Sequence, residues 1–291
     1  MSKMSNRRLG TGLLAVMLAG SVVVASCSSD KDGSTGDAKA ASSTTTPATS
    51  TTAAAGPKPV TVLVSNDDGY EAPGIDALVE GLRKLPQVKV VVYAPLKQQS
   101  GTAGKTTDGP VEVTDVKLHS GAPAKAVAGF PADTIKVAMD RDGVKPDLVV
   151  TGINLGQNIG PLVDVSGTVG AARAAVARGV PALATSSGLT AFDVKAAVPF
   201  VVDWFEKNRA AVADHSLPVA VQNLNVPSCE TGKVRGLADV KVGLDEPAGD
   251  ALKTQDCNST APEASLVDDV QAFNAGFATL STLSAEPAIV P

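Results

Sequence analysis

From about Val60 onward the sequence predicts an α/β fold built on a mostly parallel sheet. Two observations carry this. Short apolar runs of strand length recur along the chain, and helical patterns stand between several of them. The chain also opens as strand, helix, strand, which implies a right-handed crossover and a parallel pair.

Val60–Ser65 is the first strand, running into the acidic turn Asn66-Asp67-Asp68-Gly69. Ile75, Leu78, Val79, Leu82 and Leu85 then fall at helical spacing, so Ile75–Lys84 reads as a helix, with Pro73 near its start. Val88–Ala94 is a second strand, closed by Pro95, and the polar loop Leu96–Gly104 follows. Val111–Val127 holds short β-like runs with polar breaks, and His119 within it reads as a surface residue. Gly129-Phe130-Pro131-Ala132-Asp133-Thr134 opens a helix that runs through Met139, with Asp133 in its first turn, where the helix dipole favours a carboxylate. Pro146–Thr151 is a further strand, ending in the glycine- and asparagine-rich loop Gly152–Gly160. Asp164–Gly170 leads into an alanine-rich helix ending near Gly179. Pro181–Thr185 reads as a strand, Val194–Ala211 as an amphipathic helix and Val219–Val226 as a strand. Beyond Pro227 the pattern weakens into extended arms, and Ala272–Leu283 fits a strand or a helix equally.

The N-terminus has a different character. Lys3, Arg7 and Arg8 precede an apolar run from Leu9 to Ala25, the pattern of a secretory signal. Val24-Ala25-Ser26-Cys27 resembles a bacterial lipobox, so residues 1–26 are expected to be removed and Cys27 to carry lipid; a plain signal peptide is the alternative. Residues 27–59 are rich in Ser, Thr, Ala, Gly and Pro and read as a disordered tether. Residues 60–291 form one domain, expected outside the cytoplasm and anchored to the membrane. Cys229 and Cys257 are open to a disulfide or to two free thiols. Net charge is −5, with no basic cluster and one Trp, which argues against a nucleic-acid polymer as partner.

Three polar groups then fall at equivalent places: Asp67 and Asp68 after the first strand, Ser100 after the second, Asn154 after a later one. In a parallel sheet these positions share the carboxyl edge, where open α/β folds bind ligands. Two adjacent carboxylates there are costly unless a cation neutralises them, although a solvated Asp-Asp-Gly turn is the bland alternative. Carboxylate, hydroxyl and amide oxygens suit Mg²⁺ or Mn²⁺, one per subunit. Ser166-Gly167-Thr168 at a helix start offers N–H groups and hydroxyls to an anion. A divalent cation beside a phosphate cradle implies metal-assisted hydrolysis of a phosphate monoester by an activated water.

Asn66-Asp67-Asp68-Gly69-x-x-Ala72-Pro73-Gly74-Ile75 resembles the N-terminal signature of the SurE family of survival-protein nucleotidases. The resemblance continues through Ser100-Gly101, Gly129-x-Pro131-Ala132-Asp133, Gly152-Ile153-Asn154-x-Gly156-x-Asn158-x-Gly160, Ser166-Gly167-Thr168-Val169 and Asn223-x-Asn225-x-Pro227. It implies a Rossmann-like three-layer core, an extended C-terminal arm used in forming a homodimer or homotetramer, and a divalent-metal-dependent 5′/3′-nucleotidase acting on nucleoside monophosphates. By position it makes Asp67, Asp68, Ser100 and Asn154 metal ligands, and Asn66, Gly101, Asn158, Ser166, Gly167 and Thr168 the phosphate surroundings. Asp67 and Asp68 are the catalytic pair, with Asp67 favoured as the proton acceptor. The chain departs from the family pattern at Gln98-Gln99, Phe130, Val165 and Ala174, which alters the phosphate and base surroundings. The competing expectations are a lipid-anchored solute-binding protein or a catalytically weakened member of the family.

Overall fold

The computed structural model describes residues 56–191 and 193–287. The expected signal, Cys27 and nearly all of the tether lie outside the described residues. Among the described residues no helix is long and apolar enough to cross a membrane.

The strands and helices follow in chain order as β1 (Val60–Ser65), α1 (Pro73–Arg83), β2 (Val88–Pro95), β3 (Val113–Lys117), β4 (Pro123–Val127), α2 (Pro131–Lys136), β5 (Leu148–Leu155) and α3 (Gly167–Val176). They continue as β6 (Ala182–Ser187), α4 (Val198–Ala213), β7 (Val221–Val226), β8 (Leu237–Asp239), α5 (Asp269–Asn274) and β9 (Ala278–Leu283). One nine-stranded sheet has the order β3-β4-β2-β1-β5-β6-β7-β9-β8. The run from β4 to β7 is parallel, and antiparallel pairing occurs only at β3/β4 and β7/β9 among these strands.

The sheet is buried on both faces, so β1, β2 and the start of β5 carry near-continuous apolar runs rather than strict alternation. Val62 and Val64 of β1 pack with Ile75, Leu78 and Leu82 of α1 and with Trp204 and Phe205 of α4. Leu63, between them, points the other way, into a layer with Ile135 of α2 and Val169, Ala172 and Ala175 of α3. The small residues of α3 let it lie close: a Cβ on Gly170 would stand 2.0 Å from the Ala103 carbonyl oxygen.

Strand order places the functional edge. The chain goes from β1 outward to β2, then returns to add β5 on the opposite side of β1. That reversal opens a crevice at the carboxyl ends of β1 and β5, the switch point at which open α/β sheets bind ligands.

Several sequence boundaries shift. β5 continues four residues past Thr151 through an irregular register, so Asn154 stands on the strand and not in a loop. The expected helix from Val194 begins as a 3-10 turn, with α4 proper starting at Val198 and Pro199 in its first turn. The undecided stretch Ala272–Leu283 is both: α5 ends at Asn274, Gly276 turns the chain at φ +83°, and β9 follows. The segment after Pro227 has little regular structure, yet it returns to the sheet where β8 pairs with β9. Cys229 and Cys257 are joined in a disulfide across this segment.

Candidate active site

β1 ends in a buried polar turn. Asn66 is fully buried and donates its side-chain amide to the Gly69 carbonyl at 2.8 Å, bracing the turn from inside. Gly69 has φ +97°, and a Cβ there would stand 3.2 Å from the Lys97 carbonyl carbon, so both conformation and space call for glycine. The Gln99 N–H donates to the Asp67 carbonyl at 2.7 Å, fastening the loop that carries Ser100 onto the turn.

Asp67 is 2% exposed and sits at the start of α3. Its Oδ1 accepts from the Thr168 hydroxyl at 2.5 Å, and the Gly167 and Thr168 N–H groups further favour its charged form. Gly167 makes this approach possible: a Cβ there would lie 2.8 Å from Asp67 Cβ. Burial outweighs these donors and pushes the Asp67 carboxyl above its ordinary range. Asp68 is less enclosed, and the Leu155 N–H donates to its Oδ2 at 3.3 Å. Burial first, and the neighbouring Asp67 charge second, raise its pKa to about 6.

Asn154, near the end of β5, donates its side-chain amide to the Gly156 carbonyl at 2.6 Å. Its Oδ1 is buried with no hydrogen-bond partner, as is that of Asn66. Ser100 is exposed, its hydroxyl accepting from Gln98 Nε2 at 2.6 Å while its N–H donates to Gln98 Oε1. The Gln98 amide also favours the charged form of Asp68. Gly101 is exposed at φ +74°, turning this loop back toward α3.

A divalent cation fits this set. Burial raises both carboxyls and the Asp67 charge adds to this at Asp68, so a cation between them would offset the desolvation and repulsion together. Two orphaned amide oxygens beside them are hard donors of the kind Mg²⁺ and Mn²⁺ take. Among the described residues no three His, Cys, Asp or Glu side chains gather as a metal group, so a cation here relies on amide and hydroxyl oxygens as well.

The structure therefore brings Asp67, Asp68 and Asn154 to one edge with the start of α3, and hangs Ser100 and Gly101 on the adjoining loop. Other expected phosphate contacts are used internally. Ser166 caps α3 by accepting from the Val169 N–H at 3.1 Å. Asn158 bonds Ser186 through its side-chain amide, and its carbonyl accepts from Asn223 and Asn225. Sequence reading missed the pairing of Thr168 with Asp67, 101 residues apart, and the part played by Gln98. It gave no role to Asp269, which accepts from Gly160 and Gly243 and ties the loop after β5 to the C-terminal segment.

Residues 62–246 match the family model described as survival protein SurE. The chain belongs to the SurE family. It is 35% identical over 187 residues to the 5′-nucleotidase SurE of Carboxydothermus hydrogenoformans, covering 63% of this chain and 70% of that one. It is 38% identical over 187 residues to the 5′-nucleotidase SurE of Moorella thermoacetica, covering 62% and 70%. The likeness to the Cyanothece protein of the same name extends over 247 residues at 32% identity, 76% of this chain and 89% of that one. The crystal structure of the SurE protein from Aquifex aeolicus superposes with a TM-score of 0.61 at 25% identity, covering 78% of this chain and 94% of that one. The SurE fold is thus the Rossmann-like α/β arrangement described above.

Proposed function

We propose that this SurE protein is a nucleotidase that hydrolyses nucleoside 5′- or 3′-monophosphates to nucleoside and phosphate with the help of Mg²⁺ or Mn²⁺. The observation that carries the reading is the meeting of Asp67, Asp68 and the orphaned Asn154 oxygen at the β1–β5 switch point. The curated relatives named 5′-nucleotidase SurE support the same activity. A solute-binding role is not favoured, since the described domain is built on one sheet.

Asp67, Asp68, Asn154 and Ser100 would hold the cation. When bound, it supplies charge neutralisation at the phosphoryl group and a more acidic water. The protein's own groups have separable tasks. Thr168 and the α3 N–H groups orient Asp67 and partly offset the upward push of burial, because each donor favours the carboxylate. Asp67 Oδ1 is already engaged and the residue is closed to solvent, whereas Asp68 is partly open. That difference favours Asp68, not Asp67, as the group that exchanges a proton with the attacking water, reversing the sequence expectation. The loop at Ser100 and Gly101 faces solvent and receives the phosphate from outside. Without a cation, two carboxylates would repel a phosphate dianion brought beside them.

The test is phosphate release from a panel of nucleoside monophosphates with and without added Mg²⁺ or Mn²⁺. Cation-dependent release that a chelator abolishes supports the reading; release unaffected by chelation overturns it.

The address is a separate proposal, supported by the basic and apolar N-terminal run and by Val24-Ala25-Ser26-Cys27. The protein is exported, lipidated at Cys27 and held to the membrane outside the cytoplasm, where a disulfide such as Cys229–Cys257 persists. Lipid-precursor labelling that survives Cys27→Ser would remove the anchor. Assembly into a dimer or tetramer is checked by light scattering of the purified domain.

A further inference from the structure

Asn223 and Asn225 are fully buried on β7, a strand that supplies none of the inferred cation ligands. Burying an amide side chain is costly unless its groups are bonded, so where those bonds go is informative. They converge on the backbone of Asn158, in the loop after β5. The Asn158 N–H donates to Asn225 Oδ1 at 2.7 Å, and Asn225 Nδ2 donates back to the Asn158 carbonyl at 3.2 Å. Asn223 Nδ2 donates to the same carbonyl at 2.8 Å. β6 lies between β5 and β7, so the loop crosses the end of β6 to reach this anchor. On the way the Gly156 N–H donates to the Ser187 carbonyl at 2.9 Å, and the Asn158 side-chain amide to the Ser186 hydroxyl at 2.9 Å.

The contact that orients Asn154 sits inside this span. The Asn154 amide donates to the Gly156 carbonyl at 2.6 Å, which occupies its nitrogen and leaves Oδ1 unpartnered for a cation. Gly156 has φ +118° and no side chain to restrict it, so its carbonyl keeps one direction where the chain is held on both sides. Ser187 holds the chain at Gly156 itself, and Asn225 holds it two residues later. We propose that Asn225 is a positioning residue for the cation site: by gripping Asn158 through both its N–H and its carbonyl, it fixes the Gly156 carbonyl and with it the Asn154 oxygen. Asn223 is secondary, since it serves a carbonyl that Asn225 also serves. This rests on the cation-site reading above and deepens it.

The experiment reads Mn²⁺ affinity by calorimetric titration, well below the melting temperature of each variant, alongside that melting temperature. Asn225→Leu keeps the branched shape and removes both contacts, and should weaken Mn²⁺ binding about 10-fold or more, the effect of losing a group that orients a ligand from behind. Asn223→Leu leaves Asn158 its acceptor and one donor, and should bind Mn²⁺ as the parent does. Where Asn225→Leu does not fold, Asn225→Ser, whose side chain is too short to keep both contacts, takes its place with the same expectation. Parent-like Mn²⁺ affinity in the Asn225 variant, with the melting temperature alone lowered, makes the grip purely structural and overturns the inference while leaving the cation site standing. Equal weakening in Asn223→Leu overturns the assignment to Asn225. A parent protein that binds no Mn²⁺ overturns the cation site and this inference with it.

Discussion

Thr168→Val isolates the contact on which the site's electrostatics turn. The substitution keeps the shape of a fully buried side chain and removes one hydroxyl, the donor to Asp67 Oδ1. A hydrogen bond to a charged group contributes about 1.5–3 kcal/mol. At roughly 2–4 °C per kcal/mol for a domain of this size, the melting temperature should fall by about 3–12 °C. The lower part of that range is expected, because the Gly167 and Thr168 N–H groups remain as partners of Asp67. Loss of the donor also pushes the Asp67 carboxyl further up, so cation affinity should weaken, by about 10–100-fold for a group that orients a ligand. Calorimetric titration with Mn²⁺ and thermal melts measure the two effects on one sample. Thr168→Ser, which keeps the hydroxyl, should recover most of the affinity. Unchanged Mn²⁺ affinity and melting temperature in Thr168→Val would refute the assignment of Thr168 as the group that orients Asp67.

Other expectations follow from the same geometry. Asp68 must be ionised to hold a cation, so the Mn²⁺ concentration for half-maximal phosphate release should rise as pH falls through about 6. In chelator-treated protein the sign for stability is the reverse of the usual carboxylate case. Asp68 and Asp269 both have folded pKa values raised to about 6, so the folded state binds protons more tightly and melting temperature should fall as pH rises from about 4 to 6. Gly74→Ala places a Cβ 1.9 Å from the Ile153 carbonyl oxygen, which should cost about 1–3 kcal/mol or more in denaturant melts by forcing α1 off β5. Replacing Cys229 and Cys257 by serine opens a loop with a sequence separation of 28 and should lower stability by roughly 3–4 kcal/mol, seen as an earlier urea midpoint.

Much of the fold was legible because the central strands are buried on both faces. Val60–Ser65 and Val88–Ala94 needed no alternation to be recognised, whereas the reversal of strand order at β1 has no local signal and came only from the structure. The edge was harder. Gly276 splits Ala272–Leu283 into α5 and β9, and neither half is long enough to show its own period. Asp67, Asp68 and Asn154 were visible as polar residues ending apolar strands. What they touch was not: Thr168, Gly167 and Gln98 act on the aspartates across long sequence separations, by close approach that spacing does not encode. Asn158 and Ser166 carry the residue types of a phosphate cradle, yet their hydrogen bonds serve the sheet and the helix cap.

The central claim is that the carboxyl edge of β1 and β5 is a cation-dependent hydrolytic site. Mn²⁺ binding and phosphate release measured side by side on the parent and on Asp68→Asn test it most directly. The account requires one Mn²⁺ per chain in the parent, and joint loss of binding and release in Asp68→Asn. Retention of both in that variant would contradict it.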